Sequence, residues 1–296
     1  MSRFETPEPI SVVLELCVAD VRVAAGQRGD TIVNVRPSDE SRHDDVTAAE
    51  DTRVEYADGR LLVKSPRRLR EWSPRSDGGW IDVEIELPAG SDLSGHTAAG
   101  GFRCTGSLGR CELRSSAGAI TVDRAARVQL ATAGDITLER VTGDAELATA
   151  TGDVRAGEID GSAVVKNSNG DTRIREVGGD VQVKAANGDI DVEHSHGSVS
   201  AKSANGRIRV GSIHRGSLVA ETASGHVEVG VADGVAAWLD LDTRYGHVHN
   251  ALDATEGPGP ADEQVEVRAR TGFGDITIRR EARRSDDRLS EVKDHE

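Results

Sequence analysis

Apolar and polar residues alternate with period two along most of this chain. The alternation restarts after glycines set nine residues apart. From Gly134 the beat passes through Gly143, Gly152, Gly161, Gly170, Gly179, Gly188 and Gly197 to Gly206. The second and fourth residues after these glycines are apolar, as in Ile136/Leu138, Val154/Ala156, Ile190/Val192 and Ile208/Val210, with Thr172 after Gly170 the exception. The residue between them is usually polar. That pattern predicts short, half-buried strands separated by turns, and it excludes helix on both periodicity and glycine content.

Two half-units differ consistently. One reads Asn-Gly-Asp-Ile, the other Gly-Gly, His-Gly or Arg-Gly followed by alternating valines, so the full period is 18 residues. It slips to 19 at Gly225 and to 21 at Gly246, and an insert, "NALDATEGPGPADEQ", precedes the last unit, "TGFGDITI". Asn-Gly between strands also suits a meander of hairpins. Recurrence of the same residue types at one period favours a coil stacked on itself. The predicted fold is all-β: a parallel β-solenoid, or β-helix, of 18-residue coils with two short strands each, plus an N-terminal β capping region.

Stacking predicts columns of equivalent residues about 4.8 Å apart. One holds Arg155, Arg173, Asp191, Arg209 and Glu228, another Asn169, Asn187 and Asn205, and a third Lys166, Lys184 and Lys202, like charges that must be solvated or face carboxylates. The glycines are expected to mark turns of positive φ, a conformation that Asn tolerates and Val does not.

The "TGDV", "NGDI" and "SGHV" units, their intervening half-units and the entry "ELPAGSDLSGHTAAGGF" at Glu86–Phe102 resemble the bacterial "putative adhesin" β-strand-repeat family, a domain of unknown function. The resemblance runs over about residues 85–280. It implies a β-solenoid with no established reaction. The adhesin label implies a surface location, from which this chain departs by showing no export signal at "MSRFETPEPISVVLELCV". A cytoplasmic protein is therefore expected. Three segments are expected: an N-terminal β-strand capping region at 1–87, the solenoid repeat domain at 88–280, and a polar, disordered tail at 281–296. Within the first, "RVEYADGRLLVK" is a hairpin turning at Asp58-Gly59.

Composition narrows the function. The formal net charge is −15, which opposes a nucleic-acid partner and an anionic membrane surface. No apolar run approaches the roughly 18 residues of a spanning helix, so no membrane insertion is expected. Aromatics make up only 3%, too few to build a sugar-stacking groove readily. Cys17, Cys104 and Cys111 match no zinc spacing and read as reduced small hydrophobes.

Candidate chemistry is sparse. The column Asp135, Asp153, Asp171 and Asp189 invites Ca²⁺, yet the calcium β-roll motif never occurs, and each carboxylate is expected to bond to backbone N–H groups of its own turn. His194, His196, His214, His226, His247 and His249 cluster late; His226 and His247 share a repeat position and could stack, but no third zinc ligand is legible. No nucleophile elbow and no phosphate loop occurs. The expectation is a non-catalytic structural or protein-interaction scaffold: no catalytic, cofactor-binding or metal residues, no cofactor, and a protein partner of unknown identity. The alternatives are a divalent-metal-binding repeat module and a carbohydrate-active β-helix enzyme.

Overall fold

The computed structural model describes residues 1–65, 79–252 and 264–281. Residues 66–78, most of the insert (its residues 253–263) and all of the expected tail but Glu281 lie outside the described residues.

The alternating segments form two walls of parallel strands. One wall contains Ile136–Val141, Val154–Ile159, Thr172–Val177, Ile190–Ser195, Ile208–Ile213 and Val227–Val231. The other contains Ala145–Thr151, Ala163–Asn169, Val181–Asn187, Val199–Asn205 and Gly216–Ser224. Every pairing among these strands is parallel, between segments one coil apart, so the solenoid forms and the meander does not. Ile136 faces Val154, then Thr172, Ile190 and Ile208, in unbroken register. The predicted inward residues are buried from both walls, Ile190, Val192, Val199 and Ala201 among them. Upstream, two long strands, Phe102–Ser115 and Ile120–Thr132, bend round the corner and serve both walls.

Chain order and stacking order part at the ends. The first coil of the chain, Ser11–Glu15 with Ala19–Gly26, is not terminal. It lies between Arg60–Lys64 with Ile81–Pro88 on one side and Asp92–Thr97 with Phe102–Ser115 on the other. Antiparallel strands close that end: Arg53–Ala57 pairs with Arg60–Lys64, and Asp30–Pro37 covers Ile81–Pro88 with Ser2–Glu5 outermost. The Asp58-Gly59 hairpin forms as expected, both residues at positive φ (50° and 73°). A helix, His43–Asp51, adds a buried carboxylate, Asp45, which accepts the backbone N–H groups of Trp80 at 3.0 Å and Asp39 at 3.2 Å.

The other end repeats the device. The last repeat, Gln264–Phe273 with Ile276–Arg280, slots between Gly216–Ser224 with Val227–Val231 and Ala236–Tyr245 with Val248–Asn250. Both terminal repeats are thus hydrogen-bonded on both sides, and neither is the outermost coil. A bare β end exposes unpaired N–H and C=O groups; here that exposure falls on Ser2–Glu5 and Arg53–Ala57 at one end and on Ala236–Tyr245 and Val248–Asn250 at the other.

Candidate functional site

The turns between walls are where polar side chains converge, and their first task is to satisfy the backbone. The glycine of each full period sits directly on its predecessor. A Cβ on Gly170 would lie 2.2 Å from the carbonyl oxygen of Gly152, and φ there is +130°. That φ is far outside the left-handed region near +60° that Asn tolerates. The expectation that these turns accept asparagine is therefore corrected. Close backbone stacking as well as dihedral demands glycine.

The aspartates that follow form a ladder running up the stack. Asp135 Oδ1 accepts the backbone N–H of Asp153 (2.8 Å), Asp153 that of Asp171 (3.0 Å), Asp171 that of Asp189 (3.0 Å) and Asp189 that of Arg207 (2.8 Å). The acceptor role was expected, but the donor belongs to the next coil rather than to the same turn. Parallel coils turn that N–H toward its neighbour, and the carboxylate reaches it across the gap. The second oxygens of Asp153 and Asp171 take Arg155 (2.6 Å) and Arg173 (2.9 Å). A matching ladder runs along the half-period turns: Ser162 donates to Asp144, Asp180 to Ser162, Ser198 to Asp180 and Ser217 to Ser198. The asparagine column bonds as stacking predicts, Asn205 Nδ2 to Asn187 Oδ1 and Asn187 Nδ2 to Asn169 Oδ1, both at 2.9 Å.

A further column lies inside the corner. Ser115, Thr132, Thr149, Thr222 and Thr271 each donate to the carbonyl of a stacked turn glycine, with Thr149 at 2.7 Å from Gly134 and Thr271 at 2.8 Å from Gly225. Where Ala185 interrupts the column, Asn167 Nδ2 covers two carbonyls, Gly152 at 3.2 Å and Gly170 at 2.9 Å. Sequence reading missed this set. Its signal was a Ser, Thr or Asn two or three residues before the full-period glycines, with Gly188, preceded by Ala185 and Ala186, as the exception.

The late histidines separate into groups. His196 stacks on His214 at 4.9 Å and contacts Glu176 at 3.2 Å, while His194 meets Ser212 at 3.1 Å. His226 and His247 do not stack. The inserted last coil places Asp275 between them: its backbone N–H donates to His226 Nδ1 (3.0 Å), and its carboxylate accepts the N–H of His247 (2.8 Å). That bond, with the imidazoles of His226, His247 and His249 close by, holds the Asp275 carboxyl below its usual range. Among the described residues, no group of three or more His, Cys, Asp and Glu side chains is arranged to hold a metal ion. Cys104 and Cys111 are buried free thiols, and a hydrogen bond to Cys111 together with burial pushes the Cys104 thiol up.

Outside the turns the walls are flat. One depression, about 600 Å³, is an open groove on the second wall between Arg110, Glu112, Arg127 and Glu146. Higher on the same wall stand Lys166, Lys184 and Lys202, one per coil, three of the five lysines in the chain. Glu146 faces one end of the row (3.7 Å from Lys166) and Glu221 the other (2.7 Å from Lys202), while all three ammonium-bearing side chains stay exposed. Small exposed residues, Ser168, Ala186, Ala204 and Ala223, flank them. On the first wall the mixed-charge column stacks as expected, with Arg209 bridging to Asp191 at 3.1 Å. Among the described residues no helix is long and apolar enough to cross a membrane.

Comparison with solved structures finds long alignments, among them three to bacterial proteins. A "putative cell adhesion protein" from Clostridium sporogenes ATCC 15579 is 14% identical, with 94% of this chain and 98% of that one covered and a TM-score of 0.23. A "putative lipid binding protein" from Parabacteroides distasonis ATCC 8503 is 12% identical, with 93% and 95% covered and a TM-score of 0.45. A "putative adhesin" from Bacteroides fragilis NCTC 9343 is 13% identical, with 94% and 95% covered and a TM-score of 0.35. No site is carried over from them. No curated protein matches the chain. A family model does, over residues 11–281, from the first coil of the chain to the end of the inserted last one, and the chain belongs to the Toastrack DUF4097 family.

Proposed function

We propose that this chain is a non-catalytic scaffold that presents the outer face of its second wall to a protein partner. The observation that carries the reading is how the turn carboxylates are employed. In the aspartate column, Oδ1 atoms hold coil to coil, and the second oxygens of Asp153 and Asp171 hold arginines. Those arginines relieve the repulsion that would otherwise call for Ca²⁺, which counts against the metal-binding alternative. Inside the corner the hydroxyls of Ser115, Thr132, Thr149, Thr222 and Thr271 are likewise committed to glycine carbonyls, while the buried Ser203 hydroxyl has no partner among the described residues.

The surface proposed for recognition is the exposed lysine row with its small neighbours, where a partner's carboxylates would compete with Glu146 for Lys166 and with Glu221 for Lys202. Three ammonium groups at one-coil spacing on a flat wall suit an acidic strand or helix laid along the stack. On a chain of net charge −15 this is a local reversal of sign, which favours one orientation of an acidic partner.

The test is cross-linking in extracts of the native host, comparing the wild type with Lys166→Glu/Lys184→Glu/Lys202→Glu. A protein captured by the wild type and lost from a variant that melts normally supports the reading. Unchanged capture by the variant rejects the lysine face. Turnover of a polysaccharide by the purified chain rejects the scaffold.

A further inference from the structure

The two ends of the stack are not alike. The N-terminal end finishes on antiparallel strands, Ser2–Glu5 and Arg53–Ala57 outermost. The other end finishes on a parallel coil, Ala236–Tyr245 and Val248–Asn250, paired on one side only, with Gln264–Phe273 and Ile276–Arg280. Their core-facing residues remain partly open. Ala237, Leu239 and Leu241 are half-buried, whereas their neighbours Val265, Val267 and Ala269 are buried. Val248 is 44% exposed although its partner Ile276 is fully buried. Among the described residues six large hydrophobic side chains are exposed, and Trp238, Tyr245, Val248 and Phe273 of these lie here, with Tyr245 stacked on Phe273 at 4.8 Å. A long, apolar, unpaired strand edge is a template for another strand.

We infer that this open coil is an interface with a second copy of the chain, joined edge to edge by antiparallel pairing of Ala236–Tyr245 about a two-fold axis. Three observations select that occupant. First, the surface to be matched is the end of a coil, two parallel strand edges with a slot of core between them. The opposite end of the stack finishes instead on antiparallel strands, Ser2–Glu5 and Arg53–Ala57, so the mate with the same cross-section is the same end of another copy, which closes a dimer.

Second, the charges match under reversal. The outward row of the edge strand reads Trp238, Asp240, Asp242, Arg244. Antiparallel pairing centred on Asp242 sets Asp240 opposite Arg244 twice. The two central Asp242 carboxylates face each other across the axis; Arg270 of the adjoining strand, in register with Asp242 and bridged to Asp240 at 3.6 Å, stands beside them. On the two adjoining strands Asp240, Asp242 and Glu266 balance Arg244, Arg268 and Arg270, so their outer faces are locally neutral on a chain of net charge −15. Two copies can approach here without the repulsion that opposes them elsewhere.

Third, the chain's own remaining stretches are poorly suited to the edge. Residues 253–263, "DATEGPGPADE", contain two prolines and four carboxylates, and 282–296 offer only Ala282, Leu289 and Val292 as apolar residues. Neither has an alternating apolar run to cover Trp238 and Val248. This inference does not depend on the lysine face.

The experiment is sedimentation of the full chain from low to high micromolar concentration. The expected result is a monomer–dimer equilibrium with no larger species. Leu241→Lys, which points a charge into the open slot, and Trp238→Glu, on its outer side, should each weaken dimerisation at least tenfold. The monomers should keep wild-type circular dichroism. Asp242→Cys, on the axis, should form a covalent dimer with oxidised glutathione, whereas Gln182→Cys in mid-wall should not. A monomer at every concentration overturns the inference, as do dimers that persist in both edge variants or an open-ended series of oligomers. Dimerisation seen only after deletion of 253–263 also overturns it, by showing that this segment occupies the edge.

Discussion

Replacing Gly170 by Asn separates two explanations of the nine-residue beat. If the glycine merely supplies a left-handed turn, asparagine substitutes well. The structure says otherwise. At φ +130°, Gly170 would place a Cβ 2.2 Å from the Gly152 oxygen and 2.7 Å from its carbon, both below the 3.0 Å that real Cβ contacts respect. The obstacle is backbone, and it cannot swing aside. The coils are pinned at this point by Gly152 N–H to Asn169 O (2.9 Å) and Gly170 N–H to Asn187 O (3.0 Å). Relief requires opening at least one such bond, at about 0.5–1.5 kcal/mol, on top of about 1–3 kcal/mol for the disfavoured backbone conformation. The expected loss is therefore about 2–4 kcal/mol. Gly59 provides the control within the same molecule. Its φ is +73° and nothing lies within 4 Å of an added Cβ, so Gly59→Asn should cost less than about 1 kcal/mol. Urea unfolding of both variants measures the difference. Amide exchange should show protection lost near Gly152 and Gly188 together in Gly170→Asn, because each coil templates its neighbours. Equal stability of the two variants, or a Gly170→Asn protein within ~0.5 kcal/mol of wild type, would refute the stacking argument.

Other substitutions probe the remaining columns. Ile190→Asp buries an unpaired charge and should cost several-fold more than Arg173→Ala, which removes only a half-exposed ion pair worth under ~1 kcal/mol; similar losses in urea melts would invalidate the inside–outside assignment. Thr149→Val keeps the shape but strips the Gly134 carbonyl of its donor, for an expected loss of about 1–3 kcal/mol, whereas a neutral result would mean that water reaches the corner. Millimolar Ca²⁺ should leave the melting midpoint unmoved; a rise of several degrees that disappears in Asp153→Asn/Asp171→Asn would restore the calcium reading. Asp275 titrates below its ordinary value in the folded chain, so its stabilisation is complete above the unfolded pKa of about 3.9 and fades as pH falls through the folded value. The stability gap between wild type and Asp275→Ala should accordingly close on acidification below about pH 4, and a gap independent of pH would contradict this.

Much of this molecule is legible without coordinates. Parallel in-register stacking sets each residue upon its counterpart one period away, so an 18-residue repeat already names the columns: Ile136 on Val154, Lys184 on Lys202, Asn187 on Asn205. Period-two alternation names the inward face, and the buried residues are the ones it selects. Three things waited for the tertiary structure. The reason for the glycines lies in the carbonyl of the coil beneath, and a single strand does not display its neighbour. The aspartates bond across coils rather than within a turn, because that N–H points along the stack. Finally, the order of the terminal coils departs from chain order, so Asp275 comes between His226 and His247. A coil edge offers the same row of main-chain donors and acceptors to whichever segment arrives. Periodicity therefore specifies that coils stack, while long connections and the burial of each free edge decide which coil stacks on which.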